Sequence, residues 1–343
     1  MSSDREPRVW LPAIRAGTGA DVFTTRLCAG LNARGIRAEI TWLPPRSEYL
    51  PWTIPLPHTP DWANVAHVNS WLPWRFWPEG IPTVVTVHHL VHDPAFRPFR
   101  SKRQAAYHEL VIRPRELRAI RDADAVTTVS RYVAGTVREF SGRDDVRAIH
   151  NWVDSDVYAP SEIAPRDPPG SFRLFMAGSS SLRKGFDLLP AFVDTLGPGF
   201  ELRYAGGRAE VALPNVTCLG RIGQSELIRE FQRCDAVVSL SRYEGFGYTA
   251  LEAMACGKPF IGFAGSGLGE VVEDRRTALM AKGGDVVELA AHCRRLHGDP
   301  ELAAALGSAG RKRAEERFSS AGALDAYRDI YSGLVAIDRR SRR

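Results

Sequence analysis

Short apolar runs, each followed by a stretch of helical periodicity, recur from one end of the chain to the other. This alternation constrains the fold more than any other feature. In the first half, Val9–Ala13, Ala38–Leu43, Val65–Val68, Thr83–Val87 and Ala125–Val129 read as strands, with helices predicted over Asp21–Arg34 and about Ser101–Arg121. The second half repeats the style, with strands predicted at Phe172–Met176, Glu201–Tyr204, Asn215–Leu219, Ala236–Leu240 and Pro259–Phe263. Its helices are predicted at Phe186–Val193, Gln224–Arg233, Tyr248–Cys256, Val286–His297, Pro300–Phe318 and Phe318–Ile337. Near-continuous apolar strands separated by helices belong to parallel sheets covered on both faces.

At 343 residues and 44% apolar composition, the chain can bury two such cores. Pro160–Gly170 holds four prolines and no apolar periodicity, as a linker would, and all eight tryptophans lie at or before Trp152. The expected architecture is α/β. Two Rossmann-like, doubly wound parallel-sheet domains (1–160 and 171–317) face a cleft, joined by a linker (161–170), and a last helix (318–343) crosses back to the first. Ligands of open parallel sheets bind beyond the carboxyl ends of the strands, so polar residues just after strands are the site candidates.

The net charge of +5 is uneven, with eight basic residues against two acids between Arg97 and Arg121. Such a face suits anionic partners, including the headgroups of an anionic membrane, and is equally explained as a solvated helix face. No nucleic-acid-binding motif accompanies it. No apolar run reaches the roughly 18 residues of a membrane span, and the N-terminus lacks the pattern of a signal peptide. The expected location is the cytoplasm, or peripherally the cytoplasmic face of a membrane. The five cysteines, Cys28, Cys218, Cys234, Cys256 and Cys293, are scattered and read as reduced thiols.

The sharpest local feature runs from Ser241 to Pro259: a glycine loop (Glu244, Gly245, Phe246, Gly247) between a strand and a helix beginning near Tyr248. Glycines let backbone approach a ligand, and the amides and dipole of a helix start suit a phosphate. Glu244 and Glu252 flank this cradle, and carboxylates, being acceptors only, suit sugar diols. Alone, the two acids are explained as a loop cap and a helix-start charge.

They are not alone. The stretch resembles the E-x7-E signature of the retaining GT-B glycosyltransferases of family four, and other motifs follow in the family's order. These are Gly17-Thr18-Gly19, Thr86-Val87-His88, Ile149–Asp154, Gly178 with Arg183-Lys184-Gly185, Gly220-Arg221-Ile222, and Gly267–Asp274. The resemblance implies a sugar transferase taking a nucleoside-diphosphate sugar, UDP- or GDP-linked, with no metal and no cofactor. It implies that Glu252 binds the ribose, Glu244 faces the donor sugar, and Gly245, Phe246 and Gly247 line sugar and phosphate. Tyr248 and Thr249 amides would hold the diphosphate, Lys184 and Arg183 would neutralise the leaving group, and His88 would contact the sugar or acceptor. Gly17, Gly19, Gly178, Arg221 and Ile222 fall in the donor-binding loops by the same resemblance. The chain departs from the pattern at Ser179, where the family carries arginine, and at Trp152 and Ser266, where it carries glycine. An epimerase or phosphorylase on the same architecture, or a non-catalytic sugar-nucleotide-binding protein, remain the alternatives.

Three weaker signals stand beside these. Asp154-Ser155-Asp156 has the form of a metal clasp but precedes the linker and reads as a hinge turn. His88-His89-x-x-His92 invites a metal reading, yet a strand-to-loop exit explains it, with His89 near the acceptor. Trp71, Trp74 and Trp77 follow a strand where an acceptor would approach. They read equally as a sugar-stacking platform, a hydrophobic wedge or a membrane-touching patch.

Overall fold

A computed structural model describes residues 6–161, 171–206 and 212–341, with side chains to 337. The chain divides into two compact units, one from Met1–Arg97, Ser101–Asn151 and Ser320–Arg343, the other from Pro98–Arg100 and Trp152–Ser319. The predicted linker lies, from Glu162 on, outside the described residues.

The division falls after Asn151 rather than at 160, for a packing reason. Trp152, Val153 and Tyr158 are buried. Tyr158 meets Phe231 edge-on, the Gln232 amide donates to the Ala159 carbonyl at 2.9 Å, and Arg311 donates to the carbonyls of Ser155 and Tyr158. Asp154 closes a turn by accepting from the amides of Asp156 and Val157, so the D-x-D stretch spends its first carboxylate on its own backbone.

The first unit carries a six-stranded sheet: β1 (Val9–Ile14), β2 (Ala38–Leu43), β3 (Val65–Asn69), β4 (Thr83–Val87), β5 (Ala125–Thr128) and β6 (Val146–Ala148), in the order β2-β1-β3-β4-β5-β6, all parallel. Every residue of β1, β3 and β4 is buried, which is why these strands lack polar alternation. The second carries β7 (Phe172–Ala177), β8 (Phe200–Ala205), β9 (Val216–Cys218), β10 (Ala236–Val238), β11 (Phe260–Phe263) and β12 (Ala278–Ala281), in the order β12-β11-β10-β7-β8-β9, also parallel. The strand order therefore reverses between β1 and β3 in one sheet and between β7 and β10 in the other. The short strands β6 and β12 carry too little pattern to be read from sequence.

The last helix, Ser320–Ser341, belongs to the first unit. Arg34 pairs with Asp325 at 2.8 Å, and Tyr327 and Tyr331 are fully buried. The Tyr331 hydroxyl, from this helix, meets His67 Nδ1 on β3 at 2.5 Å, His67 Nε2 meets Thr86 Oγ1 on β4, and Thr86 meets Thr127 on β5.

The helix predicted over Ser101–Arg121 runs as Lys102–Tyr107, a π-helical turn at His108–Ile112, and Arg113–Asp122. Pro114 lacks an amide proton and crowds the preceding turn, and the wider π turn accommodates it. Much of the basic charge is internally paired: Arg113 with Glu109, Arg118 and Arg121 with Asp122, and Arg115 with the Glu48 carbonyl. Among the described residues, no helix is long and apolar enough to cross a membrane.

Candidate functional site

In the second unit, the point of strand-order reversal lies between the loops that follow β7 and β10, where open sheets bind ligands. These loops are zipped together. A Cβ on Gly185, whose φ is +69°, would stand 1.9 Å from the Leu240 carbonyl oxygen, so only glycine permits the approach. The Arg242 amide donates to the Arg183 carbonyl at 2.9 Å, and the Arg242 guanidinium grips Asp187 bidentately at 2.6 and 2.7 Å. The loop after β11 completes the wall: Ser266 Oγ accepts from the Glu244 amide, and a Cβ on Gly267 would stand 2.0 Å from the Gly245 carbonyl oxygen.

This scaffold brings Lys184 and Glu244, sixty positions apart, into an ion pair at 2.5 Å. Arg183 lies 3.5 Å from the other oxygen of Glu244 and donates to the Tyr243 carbonyl. Burial by itself would push the Glu244 carboxyl up, but the Lys184 and Arg183 charges outweigh it and hold the group at about 2. Burial pulls Lys184 down, against the opposing pull of Glu244. Glu244 is thus a carboxylate throughout the physiological range, an acceptor clamped between two cations.

Beyond Glu244, Gly245, Phe246 and Gly247 are buried, and the helix Tyr248–Ala255 begins with no side-chain cap. The ring of Phe246 packs edge-on against Tyr248 and Phe318, so only its backbone can line a site. Tyr248 and Thr249 are half-buried at the helix start. Glu252 is buried one turn further in, where its charge adds to burial in pushing the Cys256 thiol up to about 12.

Next to β7 stands a row of strand-end glycines. The Gly178 amide donates to the Ala205 carbonyl, and the Gly206 amide to the Gly220 carbonyl at 2.6 Å. Gly206 escaped the sequence reading, although a Cβ there would stand 2.8 Å from the Gly178 carbonyl oxygen. The signal was a glycine at a strand end, overlooked because no charged residue marks it. Exposed Arg221 and half-buried Ile222 follow Gly220, at the β9 end of this row. The fastening roles of Ser241, which donates to the Arg183 carbonyl, of Ser266 and of Asp187 leave no mark in the sequence, since the partners Arg183, Glu244 and Arg242 are distant along the chain.

The corresponding point of the first unit lies between the loops after β1 and β3. Here the Gly17 amide donates to Asp21 at 2.8 Å and the Ala16 amide to the same carboxylate, so a side chain already fills much of the glycine loop. Gly19 opens the following helix behind a Thr18 cap. His88 Nε2 meets Asn69 Oδ1 at 2.9 Å, and Phe23 and Trp71 flank the ring. Burial pulls His88 down to about 3, and His67 likewise, so both are neutral at physiological pH.

The three histidines go separate ways: His88 to Asn69, His89 edge-on to Phe96, and His92 stacked on Phe140 with Glu109 at 3.5 Å. The tryptophan run divides too. Trp71 lies beside His88, while Trp74 faces outward with the Arg118 guanidinium 3.4 Å over its ring. That face of Trp74 is therefore covered and cannot stack on a sugar.

Residues 168–313 match the family described as Glycosyl transferases group 1, and residues 40–157 match Glycosyltransferase Family 4. A glycogen synthase of Mycobacterium tuberculosis is 28% identical over 62% of this chain, which spans 55% of that relative's length. Two solved structures share the fold. Sucrose-phosphate synthase from Thermosynechococcus elongatus superposes with TM-score 0.80 at 21% identity, covering 96% of this chain and 100% of the other. Anabaena HepE in complex with UDP and glucose superposes with TM-score 0.74 at 17% identity, covering 96% and 100%.

Proposed function

The chain belongs to the family 4, group 1 glycosyltransferases of GT-B fold, and from that premise we propose that it moves a hexose-type sugar from a UDP- or GDP-sugar to a hydroxyl group with retention of anomeric configuration. The observation that carries the reading is the Lys184–Glu244–Arg183 cluster beside the start of the helix Tyr248–Ala255. Two cations fixed beside a helix N-terminus suit a diphosphate whose charge grows as it leaves. Until a donor enters, Glu244 neutralises both. A diphosphate takes over that role and frees the Glu244 carboxylate to accept from sugar hydroxyls. Held at about 2, Glu244 acts as an acceptor and never as a proton donor.

Glu252 takes the ribose hydroxyls, and the backbone from Gly245 to Thr249 follows the sugar and diphosphate. Lys184, Arg183 and the helix start supply the positive charge, so the proposal includes no metal or cofactor. Neutral His88 serves as a hydrogen-bonding group toward the sugar or acceptor. The acceptor is a glycan, glycolipid or small molecule. Retention follows if the acceptor attacks from the face the diphosphate leaves, with a leaving phosphate oxygen taking the acceptor's proton.

The test is a melting-temperature screen with UDP, GDP, ADP, TDP and their sugars, followed by NMR of the product anomer. One nucleoside diphosphate should raise the melting temperature, and its sugar should appear in product with unchanged configuration. Absence of any nucleotide shift would sink the proposal; an epimer or sugar phosphate as product would replace transfer with the epimerase or phosphorylase reading.

A further inference from the structure

We propose that Ser266 is a positioning residue for Glu244: its left-handed backbone lets its hydroxyl hold the Glu244 main chain, which keeps the carboxylate aimed at the donor sugar once the diphosphate has taken its cations. The proposal rests on the sugar-transfer reading and names the residue that sets how the site grips the sugar.

Among the described residues, Asn215, Ser266 and Arg275 stand at positive φ without being glycine, and of these Ser266, at +49°, bonds to the glycine loop of the site. A left-handed backbone crowds the Cβ of serine, and glycine would stand there at less cost. What serine adds is its hydroxyl. Its Oγ accepts from the Glu244 amide at 3.0 Å. The next residue completes the hold, since the Gly267 amide donates to the Glu244 carbonyl at 2.9 Å. Both polar groups of the Glu244 backbone are thus tied to the loop after β11. The two loops lie in direct contact: a Cβ on Gly267 would stand 2.0 Å from the Gly245 carbonyl oxygen, and one on Gly247 2.8 Å from Leu268 Cδ1. Strain of this kind collects where a site needs a group held in one place.

The Glu244 side chain is fixed by other means, through Lys184 and Arg183. While those cations hold it, the carboxylate has little need of a fixed main chain. A bound diphosphate takes the cations away. From then on the main chain sets the direction of the carboxylate, and Ser266 holds the main chain. Ser266 therefore matters little to the empty site or to a diphosphate, and most to the sugar. A hydrogen bond to a charged acceptor is among the stronger ones, and it weakens steeply once its angle is lost.

The test is calorimetric titration of the full chain, as wild type, Ser266→Gly and Ser266→Ala, with UDP-glucose, UDP-galactose and GDP-mannose and with UDP and GDP alone, beside the melting temperature without ligand. For the sugar donor that wild type binds, Ser266→Gly should raise Kd about tenfold. The Kd of the parent diphosphate should stay within about twofold. Relief of the left-handed strain offsets the lost bond, so Ser266→Gly should melt within about 3 °C of wild type. Ser266→Ala loses the bond and keeps the strain, and should melt below Ser266→Gly with the same selective loss of sugar donor. A residue that only braced the fold would move the melting temperature and both Kd values together. Unchanged affinity of Ser266→Gly for the sugar donor, or an equal loss for the diphosphate, would overturn the proposal and leave the sugar-transfer reading standing. Wild type binding none of these ligands would overturn both.

Discussion

The two sheets are built alike, yet the points where their strand order reverses are chemically opposite. Between β7 and β10 stand two cations and a carboxylate, fastened by three loops around an uncapped helix start. At the corresponding region of the first unit the Asp21 carboxylate closes the glycine loop, and beside it stand neutral groups: His88 on Asn69, and the chain from Tyr331 through His67 and Thr86 to Thr127. The difference teaches where the charge of the reaction is handled. A diphosphate needs fixed positive charge, which the second crevice holds as Lys184 and Arg183 beside the helix start, whereas the loop after β1 has a carboxylate on its amides and an exposed Arg15 lying over Trp42. The first offers hydrogen bonds and aromatic surface, the chemistry of an uncharged sugar or acceptor.

The contrast breaks most sharply at Lys184. Lys184→Ala should lower kcat/KM by about 10²–10³-fold, the scale of removing one preorganised charge or donor at a reacting centre. His88→Gln, measured in the same assay, should cost about tenfold or less, because it removes a neutral hydrogen bond. Equal losses would erase the distinction between the two regions.

Next in size is Gly185→Ala, which drives a methyl into the Leu240 carbonyl at a left-handed position. It should destabilise by about 1–3 kcal/mol or more and remove the nucleotide-induced rise in melting temperature. Chemical denaturation with and without nucleotide measures both.

Acid sharpens the comparison further, since the two regions titrate in different windows. His67 and His88 sit at about 3 when folded, against about 6.5 when unfolded. Below about 6.5 the unfolded chain binds protons that the folded chain refuses, so stability falls as pH drops toward 3. Glu244 sits at about 2 against about 4.3 unfolded. Its contribution is complete above about 4.3 and is lost as pH falls through about 2. His67→Phe should therefore flatten the upper window and cost about 1–3 kcal/mol at neutral pH, by taking the His67 bond from the buried Tyr331 hydroxyl and leaving Thr86 its bond to Thr127. Lys184→Ala should change only the lower window. Urea midpoints measured against pH separate the two. The smallest effect belongs to Arg118→Ala, about 0.5–1 kcal/mol from the lost stacking on exposed Trp74.

Much of this was legible in the sequence. The central strands β1, β3, β4 and β10 announced themselves because they are buried on both faces, and Gln224–Arg233 forms the helix its periodicity predicts. The loop from Ser241 to Gly247 was readable because strand, glycines and helix follow one another without interruption. What could not be read depends on distance or on local backbone. Nothing near Lys184 shows that its partner is Glu244, or that Gly185 must be glycine because of Leu240. Gly17 looked open to a ligand until Asp21 was seen to occupy its amide. The stretch before Pro160 was assigned to the first domain, because packing of Tyr158 on Phe231 and of its carbonyl on Arg311 joins it to residues far along the chain.

The most direct measurement is the melting-temperature shift produced by whichever nucleoside diphosphate stabilises the wild type, repeated on Arg183→Ala/Lys184→Ala at equal ligand concentration. If the crevice between β7 and β10 seats the diphosphate, the double variant should still fold cooperatively, with a lower ligand-free melting temperature because Glu244 loses both cations, and should lose most of the shift. An undiminished shift would place the diphosphate elsewhere and contradict the account.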